Sequence, residues 1–248
     1  MRRVLVTFMA GVLLATGLAV GVPGSAGAAA KDPVIIVAGT FSPAFANEPL
    51  AARLRADGYR VWIFELPGLG TGDIHDSGRA LDAFADAVRS QTGAAKVDLV
   101  GHSQGGLVAR DYVKYWGGAA EVDSLVSLGA PHYGTSIADI ISFLALGNCI
   151  GITACQQMER GSAYLNGLNA GDDTIGAVRY TNLYTAYDEL VRPVTNATLA
   201  DGATNVKVQS QCWFRVVGHV GLILDGAVYS GVRQALEGQR IRLSCWAW

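Results

Sequence analysis

The five residues Gly101-His102-Ser103-Gln104-Gly105 constrain this chain more than any other stretch. A G-x-S-x-G pattern alone is short enough to recur by chance. Here the apolar run Val97-Asp98-Leu99-Val100 leads directly into it, and Leu107-Val108-Ala109 leaves it. A strand that becomes a helix within a few residues holds the central residue in strained φ/ψ. Side chains two positions to either side would collide with the turn, which explains the glycines. Such a turn exposes the serine oxygen at the C-terminal edge of a sheet, above a helix N-terminus. Ser103 is therefore a candidate nucleophile. The plainer alternative, a glycine-rich turn with a structural serine, is disfavoured by both flanks.

The surrounding chain alternates strand and helix. Val34 to Ala38 is a β-branched run suited to a strand buried on both faces. Pro49 to Asp57 reads as a helix stopped by Gly58, and Arg60 to Leu66 as a strand. Arg79 to Ser90 places Leu81, Phe84 and Val88 on one helical face. Val97 to Val100 and Val122 to Leu128 are strands on either side of a helix from Leu107 to Tyr115. An irregular stretch is expected from Pro131 to about Gly176. Strands follow at Val178 to Tyr184, Val206 to Gln209 and Phe214 to Val217, then an amphipathic helix from Gly221 to Leu236. This order predicts a single α/β domain over residues 31–248, with a largely parallel central sheet and helices on both faces.

A nucleophilic serine needs a base, and the base needs an orienting acid, which after a nucleophile elbow follow in the order acid, then histidine. Of the four histidines, His75 and His102 precede Ser103, and His132 comes too early to leave room for an acid-bearing strand. His219 remains, on a loop between Gly218 and Gly221 before the last helix. The acid should lie just past a strand end between Ser103 and His219. Asp188, in Tyr187-Asp188-Glu189-Leu190-Val191-Arg192-Pro193, fits best, with Glu189 its main competitor. Asp172 and Asp173 precede the strand and should sit at the opposite edge of the sheet. Two backbone N–H groups are needed for an oxyanion hole. One comes from Gln104, the residue after the nucleophile. The other comes from the loop after the first strand, Thr40 being the first choice and Phe41 the second.

These segments together resemble the secreted lipases of the α/β-hydrolase fold, most of all small actinobacterial and bacillar triacylglycerol lipases. The resemblance rests on Pro33 to Thr40, Val100 to Gly106, Gly129-Ala130-Pro131-His132-Tyr133-Gly134-Thr135, Tyr187 to Pro193 and Gly218-His219. The Gly39-Thr40 loop and Ser103-Gln104-Gly105-Gly106 also resemble a fungal lipase in which a threonine donates through both backbone and hydroxyl. Bacterial lipases carry His-Gly in the oxyanion loop, where this chain has Ala38-Gly39. The resemblance implies hydrolysis of carboxylic esters, chiefly acylglycerols, with no cofactor and no metal. A short-chain carboxylesterase or an acyltransferase would use the same triad. A catalytically silent binding protein on this fold is the reading of a different class.

Met1-Arg2-Arg3, the apolar run Val4 to Val20 and the small-residue tail Ala26 to Ala30 have the form of a secretory signal peptide, with cleavage expected after Ala28 or Ala30. Removing Arg2 and Arg3 leaves 17 bases against 21 acids, a net charge of −4. That balance gives no electrostatic reason to bind nucleic acid or anionic lipid. The expected partners are an ester substrate and a lipid–water interface, and the expected state is an extracellular monomer. Export makes the cysteines readable as two disulfides. Of the three possible pairings, the local one, Cys149–Cys155 and Cys212–Cys245, needs no long-range coincidence. Ile137 to Ile152 holds many large apolar residues, Phe143 and Leu144 among them, with a single charge, Asp139. It reads either as a core helix or as an apolar rim that docks on lipid. The sequon Asn196-Ala197-Thr198 is assigned no function.

Overall fold

In β1 (Val34–Val37) every residue is buried. Successive side chains point to opposite faces of a strand, so the four residues divide between two cores. Ile35 and Val37 pack with Leu81, Leu99, Leu107 and Leu125. Val34 and Ile36 pack with Leu54, Val100, Val126 and Val228. Only a strand covered on both faces can be apolar at every position, and this is what a parallel sheet between helical layers requires. Each large aliphatic side chain so buried contributes about 1.5–3 kcal/mol.

The structure is a computed structural model that describes residues 31–136, 139–140, 149 and 151–247. The expected signal segment lies outside the described residues, as does most of Ile137 to Ile152, including Phe143 and Leu144. Six strands form one sheet in the order β2-β1-β3-β4-β5-β6. They are β1, β2 (Val61–Phe64), β3 (Val97–His102), β4 (Val122–Leu128), β5 (Arg179–Tyr184) and β6 (Thr204–Lys207). Every neighbouring pair is parallel. Helix α1 (Glu48–Ala56) and the final helix Gly226–Leu236 cover one face, and α2 (Ile74–Thr92) and α3 (Gln104–Tyr115) the other. Asp73 caps α2 by accepting from His75 N–H, and Gly93, at φ 69°, ends it. Asp225 caps the final helix by accepting from the N–H groups of Ala227 and Val228. No helix among the described residues is long and apolar enough to cross a membrane.

Four expectations are corrected. Phe214 to Val217 is not a strand. Its acceptors are taken by side chains, the Arg215 carbonyl by Gln209 Nε2 and the Val217 carbonyl by the Thr185 hydroxyl, so it joins no ladder. Val208 and Gln209 leave β6 and wind into a helical turn that ends at Gln211. The last helix begins at Gly226 rather than Gly221, because Asp225 supplies the cap and Val220–Ile223 forms a separate 3-10 turn. The stretch after Pro131 contains two short helices, Thr153–Gln157 and Ala163–Leu168. Disulfides join Cys149 to Cys155 and Cys212 to Cys245, with Cα separations of 5.7 and 5.3 Å.

His132 lies on the loop after β4, fully buried, with Nε2 3.0 Å from the side-chain oxygen of Asn182 on β5. Burial, reinforced by the Arg110 charge, pushes its pKa down to about 3. Below pH 6.5, its ordinary value, the unfolded chain takes up a proton that the folded chain refuses until about pH 3. Stability therefore falls as pH drops through that window, by about 1.4 kcal/mol per pH unit for each such histidine. Denaturant unfolding of His132→Gln at pH 7, 6 and 5 should show a slope shallower than the parent's by one proton. Parallel slopes would mean that the His132 ring titrates normally in the fold.

Candidate active site

Ser103 follows β3 directly, at φ 55° and ψ −127°. A non-glycine residue in this region costs on the order of 1–3 kcal/mol and persists only when its surroundings enforce it. Here they do. The Ser103 N–H donates to the Leu128 carbonyl on β4 at 2.9 Å. A methyl group on Gly101 would stand 2.7 Å from the carbonyl of Gly105, and one on Gly105 would strike the carbonyl of Val37. The two glycines let β3 and α3 meet at that angle and bring the end of β1 against the turn.

His219 is buried between β6 and the final helix. Its Nδ1 lies 3.1 and 2.9 Å from the two carboxylate oxygens of Asp188. Asp188 is also buried, and its Oδ1 accepts from the N–H groups of Leu190 at 2.9 Å and Val191 at 2.7 Å. Three donors thus converge on one carboxylate and offset the cost of its burial. The neighbouring Glu189 has a different task. Its Oε2 accepts from the backbone N–H of His219 at 2.7 Å and does not engage the ring. Gly218 leaves the space that the Glu189 carboxylate fills.

His102 belongs to the elbow, and it does more than shape that turn. Its ring lies against that of His219 with centroids 4.9 Å apart. Its Nε2 donates to the His219 carbonyl at 3.1 Å. Burial, together with the His219 charge, lowers its pKa to about 3, so the ring stays neutral. A carbonyl only accepts, so the proton is on Nε2. The backbone of His219 is therefore held at both ends, by Glu189 and by His102. The second residue of the G-x-S-x-G motif carries no sign of this role in the sequence, because the role depends on where the last loop returns.

Across the site, the Phe41 N–H donates to the Leu69 carbonyl at 2.8 Å, which takes it out of use. The Thr40 N–H has no such partner among the described residues. The Thr40 hydroxyl donates to Oε1 of Gln104, whose side chain is fully buried. Gly39 lets this loop approach: a methyl group there would lie 3.1 Å from Ser103 Cβ. Thr40, Ser103 and His219 share a cavity of about 440 Å³ whose other walls include Phe41, Met158, Leu190, Val220, Ile223 and Leu224. The apolar walls suit hydrocarbon. Asp172 and Asp173 lie before β5, away from this cavity, and Asp173 accepts from the Tyr133 hydroxyl at 2.6 Å. Among the described residues, the three carboxylate groupings that could hold a cation all lie elsewhere.

Gly129 ends β4 at φ 57°, beneath the acid–base pair. A methyl group there would stand 2.7 Å from Leu222 Cδ1, 3.1 Å from Asp188 Oδ2 and 3.3 Å from His219 Nδ1. Gly129→Ala should therefore cost about 1–3 kcal/mol by overpacking. Leu222→Ala in the same chain should relieve part of that loss, giving a non-additive double-mutant cycle in denaturant unfolding. Strict additivity would show that the two side chains do not compete for space.

The chain's nearest functional context comes from its relatives. A triacylglycerol lipase from Pseudarthrobacter phenanthrenivorans is 36% identical over 123 residues, which cover 46% of this chain and 37% of that one. Lipase B from Pseudozyma antarctica is 27% identical over 226 residues, 86% of this chain and 64% of the relative. The matched stretch spans only 37% and 33% of the first two curated relatives, the second being a triacylglycerol lipase of Burkholderia plantarii. Among solved structures, Aspergillus fumigatus lipase B superposes with a TM-score of 0.73 at 21% identity, over 84% of this chain and 52% of that one. The mature form of Bacillus licheniformis lipase BlEst2 gives 0.64 at 18% identity, over 84% and 93%. The model of the alpha/beta hydrolase family matches residues 19–227. With that match over most of its length and with the parallel sheet and serine elbow described above, the chain belongs to the alpha/beta hydrolase family.

Proposed function

We propose that this protein is a secreted carboxylic ester hydrolase, and specifically a triacylglycerol lipase, acting through Ser103, His219 and Asp188. The observation that carries this reading is the strained Ser103 opening into an apolar cavity that it shares with His219, whose Nδ1 faces the buried Asp188. The names of the lipase relatives support the substrate class. The leader-like N-terminus and the two disulfides support export.

His219 Nε2 takes the Ser103 proton as Oγ bonds to the ester carbonyl carbon. The carbonyl oxygen becomes an oxyanion held by the N–H groups of Gln104 and Thr40. The tetrahedral intermediate collapses, its C–O bond breaks, and His219 passes the proton to the departing alcohol. Water then loses a proton to the same imidazole and attacks the acyl-serine; the acyl C–Oγ bond breaks, the imidazolium returns its proton to Ser103 Oγ, and the carboxylic acid leaves. Asp188 fixes the tautomer with the proton on Nδ1 and stabilises the imidazolium. The Thr40 hydroxyl faces Gln104 in the resting site, so it reaches the oxyanion only by turning away from that acceptor.

Hydrolysis of emulsified long-chain triacylglycerol and of a soluble short ester tests the reading. Ser103→Ala or His219→Ala should lower kcat about a million-fold with the fold retained. Asp188→Asn should cost about ten-thousand-fold. Glu189→Gln should change little, since its remaining oxygen still accepts from His219 N–H. Loss confined to Glu189→Gln would transfer the orienting role to that residue. A phosphonate that fails to label Ser103 in the parent would leave a binding protein on a hydrolase fold. Activity on the short ester alone would make the protein a carboxylesterase.

For the oxyanion loop, Thr40→Val keeps the backbone donor and removes the hydroxyl. If the hydroxyl serves the transition state, kcat should fall about a hundred- to a thousand-fold with KM little changed. An unchanged kcat would assign the oxyanion to the two backbone groups alone.

A further inference from the structure

The cavity beside Ser103 does not end at its own wall. Leu224, which lines it, also lines a second hollow of about 290 Å³ together with Val216 and Gly221. Val216 in turn lines a third, of about 320 Å³, with Phe214 and Trp246. The three hollows are thus consecutive, each sharing a wall residue with the next. Val216 is 74% exposed and Trp246 76%.

The outer part of this track is a built structure. Its aromatic walls, Phe214 and Trp246, follow closely in the chain on Cys212 and Cys245, which a disulfide joins. Phe214 and Trp246 stack with ring centroids 4.7 Å apart. The charged residues below, Arg215 and Asp225, satisfy each other through a 2.7 Å bond from Nε to Oδ2. The Arg215 guanidinium also donates to the carbonyls of Cys245 and Ala247, both at 2.6 Å, which fixes the tail that carries Trp246. The floor is therefore charge-compensated and the walls are apolar, a combination that suits a hydrocarbon chain.

We propose that this track is a subsite for a second hydrocarbon arm of the substrate, the arm on the alcohol side of the ester whose acyl group lies beside Ser103. The proposal rests on the ester-hydrolase reading above and names its substrate class: esters whose alcohol part itself bears a medium or long chain. The arm leaves the serine cavity over Leu224, follows Val216 and ends against Phe214 and Trp246. Trp213 provides an internal control. It is 78% exposed and touches Phe214 edge-on, yet it lines none of the three hollows.

The test compares p-nitrophenyl butyrate with dihexanoylglycerol held below its aggregation concentration, so that no lipid surface is present. Trp246→Ala and Val216→Asp should each raise KM for dihexanoylglycerol about tenfold, the scale of losing one apolar wall. Both should leave kcat/KM for p-nitrophenyl butyrate within about twofold of the parent. Trp213→Ala should leave both substrates unaffected. An unchanged KM for dihexanoylglycerol in both groove variants would overturn the subsite while leaving the hydrolase reading intact. So would losses that appear only above the aggregation concentration and equally in Trp213→Ala, which would make the aromatic patch a lipid-docking face. A parent that cleaves neither ester would remove the hydrolase reading, and the subsite with it.

Discussion

The Asp188 carboxylate is the point on which the site depends. It accepts from Leu190 N–H, Val191 N–H and the His219 ring, so it ties the turn after β5 to the loop before the final helix. Gly129 brings the end of β4 against the same pair. An ionised carboxylate this deeply buried is tolerated only while its donors stay in place. The turn, His219 and the end of β4 are consequently held as one unit. The other half of the site depends on close approach of a different kind. Val37, Gly101 and Gly105 meet with no room for a methyl group, and Ser103 takes up the resulting backbone strain. One half is held by charge-assisted hydrogen bonds and the other by steric exclusion.

Adjacent carboxylates serve the two ends of His219 differently. Asp188 engages the side chain and Glu189 the backbone N–H, while His102 holds the carbonyl. An imidazole that exchanges protons must keep its position while its charge changes. Fixing the main chain on both sides of the residue achieves this. The neutral state of His102 matters here, because a second positive ring packed against His219 would oppose the imidazolium.

The inner strands were legible in the sequence because they are short and carry buried apolar runs, all of β1 and the Leu99-Val100 and Leu125-Val126 centres of β3 and β4. β4 falls where its apolar run does, and β1 and β3 differ from their runs only at the ends. The elbow was legible because steric exclusion acts between near neighbours in the chain. The preference for Asp188 over Glu189 was legible only weakly. Two adjacent acids have the same composition and spacing, and only the turn that folds Leu190 and Val191 back onto Asp188 separates them. Phe214 to Val217 has the residue types of a strand, but side chains from Thr185 and Gln209 reach its carbonyls first. The groove beside it, whose far wall includes Trp246 from the C-terminal tail, had no local signature.

The sheet order has a consequence for how the protein comes into being. From β3 onward, each new strand is laid down beside the one before it, in the order β3-β4-β5-β6. A chain that emerges or is threaded from its N-terminus can therefore extend the sheet outward without rearranging strands already placed. Ser103 is in position once β1, β3 and β4 have met, whereas Asp188 and His219 arrive with the last third of the chain. During assembly Ser103 stands in place without Asp188 and His219. The proposed triad is thus completed last, after the strands around the serine are already locked.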